Sequence, residues 1–175
     1  GMGENLALEG RLAPRSTMQW NDRPDGGFGP PDGEPSRRFP PDGRYGPGEV
    51  NVSSQRADPG SLLNWVAGAV RTRRQIPELG AGSWSVLDTG DDAVLGHCCE
   101  MEDSCFVALH NLAGERRSIE LEHAAAESLF EVLTAPDAAV EHDDERLRVD
   151  LPRYGYLWLQ TDRPLQGHTS GLPRT

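Results

Sequence analysis

Lysine is absent from the 175-residue chain: all 17 basic residues are arginine, set against 28 carboxylates for a formal net charge of -11. Exclusive use of arginine reads as the coding bias of a GC-rich genome, and no mechanism follows from it. The negative balance argues against nucleic acid as a partner, because phosphate backbones are bound by clustered basic side chains that release counterions. Long apolar runs are also missing. No segment approaches the ~20 residues that a membrane span needs, and the first residues lack the basic-then-apolar pattern of a signal peptide. Cysteine is scarce, with Cys98, Cys99 and Cys105 forming an odd, clustered set unlike an even disulfide framework. These absences together predict no membrane association, a reducing environment and a cytoplasmic location.

Three zones differ in composition. Residues 1–57 are rich in glycine and proline, and Pro-Pro-Asp-Gly occurs at both 30–33 and 40–43, which reads as two similar turns. Such a stretch cannot bury enough apolar surface to offset the entropy of ordering it, so it needs a neighbouring body. Residues 58–76 predict a helix, with Asp58 as N-cap, Pro59 in the first turn, and Leu62, Trp65, Val66, Ala69 and Val70 at three- and four-residue steps. Pro77 stops it. Arg71, Arg73 and Arg74 suit the negative end of the helix dipole.

From Ser83 the period changes to two. Seven short strands are predicted, Ser83–Leu87, Ala93–Cys98, Cys105–Asn111, Arg116–Leu121, Ser128–Leu133, Arg146–Leu151 and Gly155–Gln160, with turns at Thr89-Gly90-Asp91-Asp92 and Ala113-Gly114-Glu115. Ile119 and Leu121 alternate with Ser118 and Glu120, and Leu147, Val149 and Leu151 with Arg148 and Asp150, so one face is core and the other solvent. The segment 162–175 has no period and reads as a disordered tail.

Candidate chemical groups are few. His97, Cys98, Cys99 and Cys105 are metal-ligand types, but Cys98 and Cys99 are adjacent on a strand and project to opposite faces, which favours small buried thiols over a metal site. His110 stands near no nucleophile motif. The run 141–145, Glu-His-Asp-Asp-Glu, lacks the spacing of a calcium loop and reads as a solvated turn. Trp84 and Trp158 could stack on sugars, yet on alternating strands they read as core. Arg11 and Arg15, four residues apart in Gly-Arg-Leu-Ala-Pro-Arg-Ser-Thr-Met-Gln-Trp at 10–20, offer rigid donor forks suited to carboxylates or sugar hydroxyls.

The ordered set Gly1–Arg11, Arg15–Trp20, Gly26–Gly29, Val50–Trp65 and Arg71–Trp84 resembles the C-terminal part of the alpha-amylase superfamily, glycoside hydrolase family 13, closest to its trehalose synthase-like members. The resemblance runs to about Gln160. It implies a mainly β chain: 1–80 as the remnant of a (β/α)8 barrel (loop 1–57, helix 58–76), 81–161 as an antiparallel β-sandwich, and 162–175 as tail. It further implies that Arg11 contacts the reacting glucose and that Arg15 opens the family's Arg-Thr-Pro-Met-Gln-Trp motif, here altered to Ser16-Thr17. The implied parent acts on α-glucosides of the maltose or trehalose class by retaining chemistry, with two carboxylates across the glycosidic bond, and needs no cofactor. Those carboxylates lie on barrel strands upstream of Gly1, so the chain reads as a fragment that does not catalyse without its missing barrel portion. The alternative is a non-enzymatic β-sandwich module that binds carbohydrate or braces a subunit.

Overall fold

The computed structural model describes residues 9–10, 17–23, 25–27, 29, 44–123, 128–142, 146–162 and 165–166. The chain divides into two compact units, 1–69 and 70–175.

In unit 1 the first helix, α1 (Val52–Ala57), is capped by Asn51, whose side-chain oxygen accepts from Ser54 N. The next helix, α2 (Leu62–Arg74), spans the boundary between the units and begins at Leu62, the first residue of the hydrophobic pattern, later than a cap at Asp58 requires. Asp58 is not its N-cap; it closes α1, and its carboxylate accepts from Gly60 N in a local turn. Ser61 takes the capping role instead, because its Oγ accepts from Asn64 N while the Gln55 side chain accepts from Leu63 N. The apolar stripe of α2 is largely exposed, with Leu62 at 70 % and Val70 at 50 %.

Unit 2 is an antiparallel sandwich. A short helix, α3 (Glu78–Ala81), precedes β1 (Ser83–Leu87), β2 (Val94–Met101), β3 (Ser104–Asn111), β4 (Arg117–His123), β5 (Leu129–Thr134), β6 (Ala139–His142), β7 (Arg146–Leu151), β8 (Tyr156–Thr161) and β9 (Leu165–Gln166). One sheet has the order β1-β2-β3-β8-β5 and the other β6-β7-β4-β9. Two of these strands were not legible in the sequence. Glu141 and His142 end β6 rather than starting a turn, and Leu165–Gln166 pair with the end of β4 although the surrounding sequence has no period. Backbone pairing at a sheet edge holds them, and pairing asks nothing of side-chain alternation.

Cys98, Cys105, Val107, Leu109, Leu157 and Leu159 of the five-stranded sheet pack on Ile119, Leu121, Leu147, Val149 and Leu151 of the other. Burying each such aliphatic side chain is worth about 1.5–3 kcal/mol. The middle strand β3 is buried on both faces, since Phe106 and Ala108 point outward into a second cluster with Ile76, Cys99, Leu79, Val132 and Trp158. Its continuous run Cys105–Leu109 therefore shows no alternation. A close backbone approach holds α3 on this outer face: a Cβ on Gly82 would lie 2.6 Å from Glu78 O and 2.9 Å from Glu100 O, so position 82 admits only glycine.

Buried Asn111 ties two turns at one end of the sandwich. Its Nδ2 donates to Glu115 O at 2.7 Å and Pro152 O at 2.8 Å, and its Oδ1 accepts from Ala113 N at 2.9 Å. Asn111→Ala strands these groups, so urea unfolding should show a stability loss of about 1–3 kcal/mol with an unchanged m-value. A loss below 0.5 kcal/mol would remove Asn111 from this role.

Candidate functional site

Arg11 and Arg15, the candidate sugar contacts, lie outside the described residues, whereas the end of their motif is well placed. Gln19 O and Trp20 O accept from Val52 N and Ser53 N, both at 2.9 Å. With Ser54 N on Asn51 Oδ1 and Gln55 N on Asn51 O, all four opening amides of α1 are satisfied. The motif thus caps a helix that the sequence pattern did not reveal. The signal available was Asn51 followed by Val-Ser-Ser, a capping residue before a short polar turn.

Gln19 is buried, and its Nε2 donates to Tyr45 O at 3.0 Å while its Oε1 has no partner. Beyond Trp20 the chain turns tightly on Asp25, whose carboxylate accepts from Arg23 Nε and Nη2 and from the amides of Gly27 and Gly29. The Arg23 hydrogen bond, then the Gly27 amide, hold this carboxyl at about 2. Gly26 and Gly27 adopt φ of 60° and 87°, the left-handed conformation that such a turn requires.

The remaining candidates sit in unit 2. Cys98 faces the inner core and Cys99 the outer cluster, as adjacent strand residues must, and all three cysteines are buried thiols outside any disulfide. The Cys98 thiol is held at about 7, first by a hydrogen bond from the Cys105 side chain, then against burial by Ser85. Burial pushes Cys99 up. Among the described residues no three His, Cys, Asp or Glu side chains converge on a point that could hold a metal.

The two tryptophans part company. Trp158 is half-buried and meets Phe106 edge-on at 5.5 Å, whereas Trp84 is 70 % exposed, contrary to its reading as core. Trp84 lies on an edge strand with only one neighbour, so alternation alone does not bury it. Their strands stand three spacings apart across the sheet, about 14 Å, and Trp158 is offset two residues along from the row of Trp84, so the two do not form one stacking platform.

Two further features emerge: Glu78, which the sequence does not single out, and the pairing of His97 with His110. Glu78 is buried in α3, with both carboxylate oxygens accepting from Gln160 Nε2 at 3.1 Å. Burial pushes its pKa up, but hydrogen bonds from Ser104, its own amide and Gln160 outweigh this and hold it below the ordinary value. His97 and His110 stack nearly parallel, with ring centroids 6.3 Å apart. Burial lowers the pKa of both, and in His110 the charge of His97 adds to this.

The two sheets of unit 2 define an antiparallel β-sandwich domain. Residues 104–160 match the sucrose hydrolase-like C-terminal domain family. The chain is 32 % identical over 129 residues to trehalose synthase of Pimelobacter sp., an alignment that takes in 70 % of this chain and 22 % of that protein. Its fold matches trehalose-6-phosphate hydrolase of Bacillus licheniformis (TM-score 0.71, 17 % identity, 90 % of this chain and 27 % of that one). It likewise matches isomaltulose synthase of Erwinia rhapontici (TM-score 0.68, 21 % identity, 87 % and 26 %). The chain is thus a trehalose synthase homologue, and its residues 104–160 match a C-terminal domain of the sucrose hydrolase-like kind. It spans about a fifth of the length of its curated relative.

The histidine pair sets a pH dependence. With folded pKa values below the ordinary ~6.5, the unfolded chain binds more protons as pH falls through that value, so native stability is full above it and declines below. Unfolding free energy measured from pH 8 to 5 should therefore fall below about pH 6.5, and the His97→Gln/His110→Gln double variant should flatten that part of the curve. An identical slope in the double variant would contradict the assignment.

Proposed function

We propose that this chain is the C-terminal portion of an enzyme that acts on α-glucosides by retaining glycosyl transfer or hydrolysis, trehalose synthase-like in its chemistry. The observation that carries this reading is the 32 % identity to trehalose synthase over 129 residues. Arg11 would contact the reacting glucose and Arg15 would order the pocket loop, with the motif's end clamped on α1 behind them. The nucleophile and acid/base carboxylates would come from barrel strands outside this sequence, since two carboxyls must be held about 5–5.5 Å apart across the bond on a rigid scaffold. The sandwich would brace that barrel. The exposure of Leu62, Val66 and Val70 on α2 supports a missing body, because a helix of this pattern normally buries such a face. We place the chain in the cytoplasm, in keeping with three thiols outside any disulfide. Among the described residues no helix is long and apolar enough to cross a membrane.

The test is an assay of maltose–trehalose interconversion and glucoside hydrolysis, on the chain alone and joined to the barrel portion of its trehalose synthase relative. The chain alone should be inactive and the joined form active. Arg11→Ala in the joined form should lower kcat/KM roughly 10–100-fold, the size of a lost hydrogen bond to a charged group of ~1.5–3 kcal/mol. Turnover by the isolated chain, or an unaffected Arg11→Ala enzyme, would contradict the proposal.

A further inference from the structure

Among the described strands each sheet leaves two edges, and three of the four carry a device that blocks further pairing. Strand β5 has a register irregularity between Glu131 and Leu133 together with the charge of Glu131. Strand β6 is four residues long and ends in Glu141-His142, and β9 has only two residues. Short length, bulges and charge are the usual means by which a protein prevents edge-to-edge association. Strand β1 has none of them. Its sequence, Ser83-Trp84-Ser85-Val86-Leu87, contains no charge, proline or irregularity, and among the described strands it bonds to β2 alone over five consecutive pairs. Trp84 is 70 % exposed and Val86 44 % exposed, both on the outer face.

We infer that the free edge of β1 pairs antiparallel with β1 of a second copy of this chain, joining two five-stranded sheets across a two-fold axis. The sequence is self-complementary for that occupant. With Ser85 on the axis, Trp84 stands opposite Val86 of the second copy and Val86 opposite its Trp84, giving two aromatic–β-branched cross-strand pairs on the outer face. Ser85 meets its own counterpart, and Ser83 meets Leu87, so no like charges are opposed. Because each copy uses its one unguarded edge, association closes at two. The inference uses neither Arg11 nor Arg15, and stands or falls independently of the α-glucoside reading.

Sedimentation equilibrium of the full chain tests it, with circular dichroism confirming that each variant is folded. The weight-average mass of the wild type should rise with concentration from 19.1 kDa toward twice that value and level there. Val86→Lys and Trp84→Lys, both at exposed positions, should remain at the monomer mass at every concentration. Phe130→Lys, on the opposite edge strand, should dimerise like the wild type. A wild type that stays monomeric, including one whose β1 is protected only when a barrel portion is supplied, overturns the inference. So do a mass that climbs beyond two copies, Lys variants that still dimerise, and a Phe130→Lys that does not.

Discussion

The ordered sandwich depends on one apolar seam, where β3 and β8 of one sheet meet β4 and β7 of the other. Leu109, Leu147, Leu151, Leu157 and Leu159 are wholly buried there, and β3 is covered on its outer face as well. That second covering explains α3. The segment Ile76–Gly82 lays its apolar residues on Phe106 and Ala108, and the Glu78–Gln160 pair fixes its position with hydrogen bonds rather than with a salt bridge. A buried carboxylate held only by neutral donors tolerates this because Ser104 and Gln160 satisfy it in the ionised form.

Unit 1 is built on a different principle. Its buried side chains among the described residues are polar: Gln19, Asp25, Asn51 and Ser61. Each terminates a helix, closes a turn or binds a main-chain group, so the described part of the unit is knit by directional contacts, with no buried apolar side chain among the described residues. Hydrogen bonds contribute net stability of only about 0.5–1.5 kcal/mol each, and ordering a loop-rich segment costs more than a handful can return. The same unit exposes Leu62, Trp65 and Val66.

How much of this was legible in the sequence depended on which force placed each element. Strands β1 and β7 were read to the residue, because Leu147, Val149 and Leu151 alternate with charged neighbours in a half-buried strand. The inward and outward positions of Cys98 and Cys99 followed from the same period. The start of α2 was misplaced because Asp58 and Ser61 are both good caps, and only the side-chain oxygen of Gln55, six residues before Ser61, decides between them. Trp84 was misjudged because alternation says which residues share a face, not whether anything covers it. Helix α1 was missed because its six residues carry no apolar period. Its amides are capped by Gln19 and Trp20, more than thirty residues upstream, a pairing no local pattern can announce. The order of motifs, read as a resemblance, reached the family where composition and spacing could not.

Native-state hydrogen exchange on the full chain tests the central contrast most directly. The account predicts that amides of Cys105–Leu109, Leu147–Leu151 and Leu157–Leu159 exchange slowest and together, at the free energy of global unfolding. The amides of Val52–Gln55, although all hydrogen-bonded, should open at much lower free energy, separately from the sandwich. Equal protection of the two sets, lost in one cooperative step, would contradict the division into an apolar-cored sandwich and a unit whose described residues are knit by polar contacts.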